Sequence, residues 1–334
     1  MKRTYPWLLA FLIVLVGILA YTALRLPTDW KLSDPVPLRV QLQWFDQAQF
    51  MGFYVAHEKR YYKDDNLDVK LIAGGFAINP IVNVRQGAAD IGIATGDQVL
   101  LAEANGSDLK AIGTVFDTSL ACFMSMTAAH VTSPKDFVGH TVGVYRGFDT
   151  ENILLALLNG AQVPVDRVHT VQAGDLSAFP DSIDVFPSYS LNEPIAETLQ
   201  GRSVTCLKPD AFGVHFYGDT LFTTAAFWRN NRDALKRFLE ASSRGWEFCA
   251  LPGNEDKALD LMYQYSRNLS KEDTWNLQKG TLQEALRHVG AGPNHHPFFM
   301  EQSRWKTMEA ELIAAGRLGK GGYIDNLCDF TLVN

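Results

Sequence analysis

Short runs of β-branched and aliphatic residues alternate along this chain with stretches whose apolar positions recur at helical spacing. From Leu38 the order is LRVQLQ, AQFMGFYVAHEKRYY, LDVKLIA, NPIVNVRQG, DIGIAT, DQVLLAEANG and LKAIGTVF. Alternation of this kind predicts an α/β fold with a largely parallel sheet. A second cycle opens after SPKDFVGH with TVGVYRG, DTENILLALLNGA, VHTVQAG and IDVFPSYS, then a helix from Glu193 to Gln200 and SVTCLKP. HFYGDTLFTTAAFW returns to the first unit, and helices are predicted over Asn231 to Cys249, Glu255 to Tyr265 and Lys271 to Val289. The middle unit is thus flanked by two pieces of one domain. Residues 38–127 with 213–330 form one expected lobe and residues 128–212 the other. Two crossings imply a hinge, and a cleft between lobes is where small ligands prefer to sit. Open α/β sheets also place ligands beyond the carboxyl ends of their strands. Trp44, Gly74-Gly75, Thr95-Gly96-Asp97, Arg146-Gly147 and Tyr189 fall at such ends.

The N-terminus has a different pattern. A basic stretch over residues 1–6, with Lys2 and Arg3, precedes an uncharged apolar run from Trp7 to Leu24. Positive charge followed by an apolar run is an export signal. The run just reaches the ~20 residues that span a bilayer as a helix. The expectation is an N-terminal hydrophobic helix over 7–24, a signal peptide or a signal anchor. As an anchor it would make the membrane a partner and tether the body to the inner membrane, in the periplasm or at the cell exterior. Proline-containing residues 25–37 read as the linker.

Composition narrows the function. With 334 residues, 47% hydrophobic and 20% charged, the chain is a folded protein long enough for two domains. A net charge of -7 without a basic stripe argues against nucleic acid as a partner. Cys122, Cys206, Cys249 and Cys328 are widely spaced, with no zinc-like arrangement. A disulfide is permitted in an exported protein, buried free thiols fit equally, and spacing does not choose a pairing. No catalytic motif, metal or cofactor is expected: there is no G-x-S-x-G, H-E-x-x-H or P-loop. His295-His296 sits in a proline-containing connection, and GKGG at the C-terminal end reads as a turn.

The most informative stretch is WFDQAQFMGFYVA, from Trp44 to Ala56. A flat heterocycle stacks on aromatic faces, and Asp, Asn and Gln side chains read its ring nitrogens and exocyclic amines. Trp44 and Tyr54 would supply faces, with Asp46, Gln47 and Gln49 at the edges. Ala48, Met51, Gly52, Val55 and Ala56 have core spacing, and Phe50 and Phe53 fit either role. Arg146, Gly147 and Phe148 close a strand and open a helix, an arrangement that suits an anionic group; Asp149 as a simple N-cap explains the same residues. Tyr189, Asn192 and Glu193 follow the strand IDVFPSY, where the carboxylate could receive an amino group or Glu193-Pro194 merely start a helix. Asn79, Asp97 and Asp219 complete the candidate ligand contacts.

WFDQAQFMGFYVAHEKRYYKDDNLDVKLIAGGFAINPIVNVRQGAADIGIATGDQ, SPKDFVGHTVG, SYSLNEP and FYGDTLFTT together resemble the periplasmic substrate-binding proteins of ABC transporters grouped with thiamine pyrimidine synthase. The resemblance spans about Leu38 to Leu318. It implies a type II two-lobe, hinge-closing fold, a small heterocyclic ligand such as a thiamine pyrimidine precursor, and an ABC permease and ATPase as partners. Some relatives bind flavins, aromatic acids or sulfonates. The family also includes the synthase itself, whose cofactor lysine falls on Ala94 and whose sacrificed histidine falls on Gln98 when aligned on Gly87 to Gly92. Its cysteine motif is replaced here by GVHFYGDTLFTT, so the enzyme reading lacks its chemical parts. Where pyrimidine-binding relatives carry W-x-P and His-Ala-Gly, this chain has Trp44-Phe45-Asp46 and Phe50-Met51-Gly52. A ligand-sensing ectodomain is the remaining alternative.

Overall fold

The computed structural model describes residues 34–174, 182–266, 268–290 and 296–332. From Val36 onward the chain is one compact unit. In chain order its strands are β1 (Val36–Gln41), β2 (Leu67–Ile72), β3 (Ile91–Thr95), β4 (Leu109–Thr114), β5 (Ala121–Met126), β6 (Thr141–Val144), β7 (His169–Gln172), β8 (Val185–Tyr189), β9 (Val204–Leu207) and β10 (Asp219–Thr224). Burial tells edge from centre. At the edge, β2 alternates buried Leu67, Val69 and Leu71 with exposed Asp68 and Lys70, whereas every residue of central β3 is buried. This is the pattern of a sheet covered on both faces by helices.

Two sheets form, ordered β2-β1-β3-β10-β4 and β7-β6-β8-β5-β9. β1 runs parallel to β2 and β3, while β10 runs antiparallel between β3 and β4. The second sheet repeats the plan, with β6 parallel to β7 and β8, and β5 antiparallel between β8 and β9. The chain leaves the first sheet after β4 and returns to it as β10. In each sheet one antiparallel strand therefore lies next to a crossing.

The crossings are tied together. Val115 N–H donates to Asp219 O at 2.7 Å, and Ser119 N–H to Phe216 O at 2.7 Å. A Cβ on Gly218 would stand 2.7 Å from Thr118 O, so only glycine lets the returning strand lie this close to the outgoing one. The second sheet is also pinned covalently. Cys122 of β5 and Cys206 of β9 form a disulfide with Cα atoms 5.8 Å apart, whereas Cys249 and Cys328 are buried free thiols.

Helices follow the expected spans: Arg232–Ala250, Glu255–Tyr265, Lys271–Leu286 and Glu193–Leu199. In Arg232–Ala250, Ala234, Leu235, Phe238, Leu239, Ala241, Ser242, Gly245, Trp246 and Cys249 make one buried stripe at helical spacing. That stripe packs on the Met51–Glu58 helix, whose residues Met51 to Ala56 are all buried.

The expected N-terminal membrane-spanning helix is corrected. Among the described residues no helix is long and apolar enough to cross a membrane. The physical reason is visible in the longest, Arg232–Ala250, whose 19 residues include Arg232, Lys236, Arg237 and Arg244, charges that a bilayer core does not accept without large cost. The run 7–24 lies outside the described residues, as do the basic n-region and most of the linker. The fold of the described residues is therefore the two-lobe α/β body, and neither the membrane as a partner through residues 7–24 nor anchorage to the inner membrane is supported.

Candidate ligand-binding site

The carboxyl ends of β1, β2 and β8, and the start of the helix after β6, converge on one cavity of about 430 Å³ between the two sheets. Its first wall is aromatic. Trp44 follows β1, and its indole meets Phe76 edge-on at 4.6 Å and Phe45 at 5.4 Å. Glycines make this contact possible: Gly74 N–H donates to Trp44 O at 2.8 Å, and a Cβ on Gly74 would lie 2.5 Å from Leu42 O. Gly75, at φ +151°, then turns the loop so that Phe76, Ala77 and Ile78 face the cavity. Phe76 and Phe45 are 46% and 51% exposed, so this wall keeps open apolar area to offer a ligand.

The opposite wall comes from the second sheet. Tyr145, Gly147, Phe148, Asp149 and Thr150 line it, with Pro187, Tyr189, Asn192 and Glu193. Tyr189 O–H donates to Asp149 Oδ2, and Tyr189 N–H donates to Glu193 at 2.8 Å. Gln43 Nε2 approaches Tyr189 Oη at 3.5 Å and links the two walls.

Beneath the cavity lies an acidic floor. Gln49 Nε2 donates to both oxygens of Asp219, at 2.9 and 2.7 Å, and Asn152 Nδ2 donates to Asp97 at 2.6 Å. Burial, then the charge of Asp97, pushes the Asp149 carboxyl up to about 7. Burial, outweighing the Gln49 hydrogen bond, pushes Asp219 up to about 7. Burial also raises Asp97 and Glu193. Among the described residues, Arg317 is the basic side chain lining the cavity, and it is already engaged with Asn152 Oδ1 at 2.7 Å and Glu151 at 3.7 Å. The polar lining is thus rich in acceptors.

Of the residues singled out from sequence, Trp44, Gln49, Asn79, Gly147, Phe148, Tyr189, Asn192 and Glu193 line the cavity. Asn79 also caps the Pro80–Arg85 helix, accepting from Ile81 N–H at 2.9 Å. Tyr54 does not reach the cavity. It is fully buried, donates to Asp46 at 2.8 Å and packs on Tyr265, while Asp46 also accepts from Ser266. Asp97 and Asp219 stand behind the lining rather than in it. Arg146 points to Glu151 at 3.7 Å, and Glu151 also takes the Gly147 N–H at 2.9 Å. The expected anion cradle is therefore filled by the chain's own carboxylate. His296 is exposed and His295 lies outside the described residues. Sequence reasoning missed Phe76, Ile78, Asn152 and Arg317, and treated Gln98 only as a departure from an enzyme. The GGF triplet after β2 was the available signal for Phe76.

The family described as NMT1/THI5 like matches residues 47–253, more than half of the chain. The chain belongs to that family. Among curated relatives, it is 26% identical over 231 residues to a formylaminopyrimidine-binding protein of Halalkalibacterium halodurans, covering 67% of this chain and 69% of the other. It is 28% identical over 259 residues to the riboflavin-binding protein RibY of Chloroflexus aurantiacus, covering 73% and 70%. Among solved structures, the alkanesulfonate-binding protein SsuA of Xanthomonas axonopodis pv. citri superposes with a TM-score of 0.67 at 16% identity, over 89% of this chain and 99% of that one. At that identity the likeness speaks for the two-lobe periplasmic-binding fold.

Proposed function

We propose that this NMT1/THI5-like chain is an extracytoplasmic solute-binding protein of the ABC-transporter type that captures a flat nitrogen heterocycle, of the pyrimidine class, between its lobes. A membrane permease and its ATPase would receive the ligand. The observation that carries this reading is the pairing of walls around one cavity: Trp44 and Phe76 on one side, Tyr189, Asn192 and Glu193 on the other. The first wall has a free apolar face for a ring, and the second has acceptors for ring N–H and amine groups. Two curated relatives, named for formylaminopyrimidine and riboflavin, share a flat nitrogen heterocycle as ligand, which supports the class. An anionic sulfonate fits this cavity poorly, because Arg317 and Arg146 are both drawn to Glu151. The Cys122–Cys206 disulfide supports an oxidising compartment.

In this reading Trp44 and Phe76 pack on the ring, Gln49, Asn79 and Asn192 flank it, and Glu193 accepts from an exocyclic amine. The synthase reading has no amine for a Schiff base, since Ala94 is a buried methyl group on β3. Isothermal titration of the full chain with 4-aminopyrimidines, riboflavin and an alkanesulfonate tests the proposal. A heterocycle should bind at low micromolar Kd or tighter. Binding of the sulfonate alone would overturn it.

A further inference from the structure

Three carboxyl groups at the base of the cleft have no cation. Among the described residues, no lysine, arginine or histidine forms an ion pair with Asp97, Asp149 or Asp219, although they are only 1–3% exposed. Buried negative charge without a partner is costly and has two remedies, a proton or an incoming cation. The floor also has unmet hydrogen-bonding capacity that faces the ligand space. Thr150, 2% exposed and lining the cavity, has no partner for Oγ1, and neither does the buried Oε1 of Gln43.

The surroundings of Asp149 do not supply the missing charge. Tyr189 on β8 donates to it, while Asp97 on the Gly96–Ala104 helix and Asp219 on β10 add negative charge. On its own helix, Asp149–Gly160, Glu151 draws Arg146 and Arg317 to itself. The other elements packed on that helix carry charges spent elsewhere. Asp210 pairs with His215 and Arg304, Asp136 holds Thr132 and Ser133, and Glu309 and Glu311 hold backbone N–H groups. Lys135 and Lys306 are exposed, β5 has no titratable group apart from its disulfide-bonded cysteine, and Glu103 accepts from Leu109 N–H.

We propose that Asp149 is the residue that sets the ligand's charge, receiving a protonated amine of the bound heterocycle and exchanging its own proton for that cation, with Thr150 Oγ1 beside it. This rests on the heterocycle reading and narrows it from flat nitrogen rings to those bearing a basic amine. In the exchange the carboxyl proton passes to buffer while the ligand's ammonium group keeps its own, so charge and protons balance. The raised carboxyl range near 7 makes the exchange visible near neutral pH. As pH falls from 8 to 5, protons compete for Asp149 and affinity for the cation declines, whereas affinity for an uncharged analogue does not.

A matched pair isolates the effect: 4-amino-5-aminomethylpyrimidine, a cation, and its N-formyl derivative, which is neutral at that nitrogen. Titration of the full chain should show the cation bound about tenfold or more tightly at pH 8, a preference lost by pH 5. The apparent binding enthalpy of the cation at pH 7 should vary with the ionisation enthalpy of the buffer, reporting proton release. Asp149→Asn should abolish both the preference and the buffer dependence, so that the variant binds the cation no more tightly than the N-formyl derivative at either pH. Equal binding of the two by the unaltered protein, or no proton release, would overturn the role of Asp149 alone. Binding of neither would overturn the heterocycle reading and this inference with it.

Discussion

Trp44 does at the residue scale what no neighbour can replace. Its indole is held between Phe45 and Phe76, so a ligand ring meets a wall already ordered before it arrives. An aromatic pair is worth about 0.5–1.5 kcal/mol beyond its buried area, so Trp44→Ala should weaken binding of the best heterocycle about tenfold or more by titration calorimetry. Unchanged affinity would remove the stacking role. The acidic floor leads to a second expectation, for stability. Asp149 and Asp219 titrate near 7 when folded and near ordinary carboxylate values when unfolded. Between those values the folded chain binds more protons than the unfolded one, so stability is lost as pH rises from about 4 to 7. Calorimetric Tm should drop by several degrees, at roughly 2–4 °C per kcal/mol, and by less in Asp149→Asn. A Tm that rises over this range would contradict the uncompensated floor. Much of the cavity's lining was legible at this scale. Trp44, Tyr189, Asn192 and Glu193 stand where strands end, and that position is readable from pattern. The orientation of Tyr54 was not legible, because a helix buried along most of its length does not say in sequence which face meets a cavity and which meets Tyr265.

Elements meet closely where side chains vanish. The Met51–Glu58 and Arg232–Ala250 helices touch at Gly52 and Gly245: a Cβ on Gly245 would run into Gly52 O, and one on Gly52 would enter the Trp246 ring. Gly245→Ala should therefore destabilise the fold by about 1–3 kcal/mol by denaturant unfolding, despite the higher helix propensity of alanine. A gain in stability would mean that the two helices can separate at no cost. Such contacts explain why helix spans were readable and packing was not. The buried stripe of Arg232–Ala250 is periodic in sequence, yet nothing periodic announces that its partner is the helix after Trp44. The disulfide was equally hidden, since β5 and β9 become neighbours only when the sheet assembles, and Cys122 and Cys206 are 84 positions apart in sequence. Closing a loop of that length restrains the unfolded chain, so Cys206→Ser with Cys122→Ser should cost about 2–4 kcal/mol.

For the whole molecule, the question is what a ligand does to two lobes joined by paired crossings. Phe76 and Ile78 on one side, and Phe148 on the other, remain 40–46% exposed, an apolar rim on both sides of one cavity. Exposed apolar area flanking a cavity favours approach of the lobes, and the paired crossings at Val115 and Ser119 offer a hinge that preserves each sheet. The N–H-to-carbonyl bonds there must survive rotation, which the close approach at Gly218 permits only if that position stays glycine. Closure would bury roughly half of a phenylalanine side chain at Phe148, on the order of 1–2 kcal/mol. We therefore expect a negative heat-capacity change on binding and a smaller radius of gyration by X-ray scattering with ligand. Phe148→Ala should lower affinity about tenfold and reduce the heat-capacity change, yet leave the Tm of the ligand-free protein nearly unaltered, because the exposed ring contributes little before closure. If Phe148→Ala instead lowered Tm and left affinity intact, the ring would be part of the lobe's own packing, and closure over the ligand would have to be driven by the acceptor floor alone.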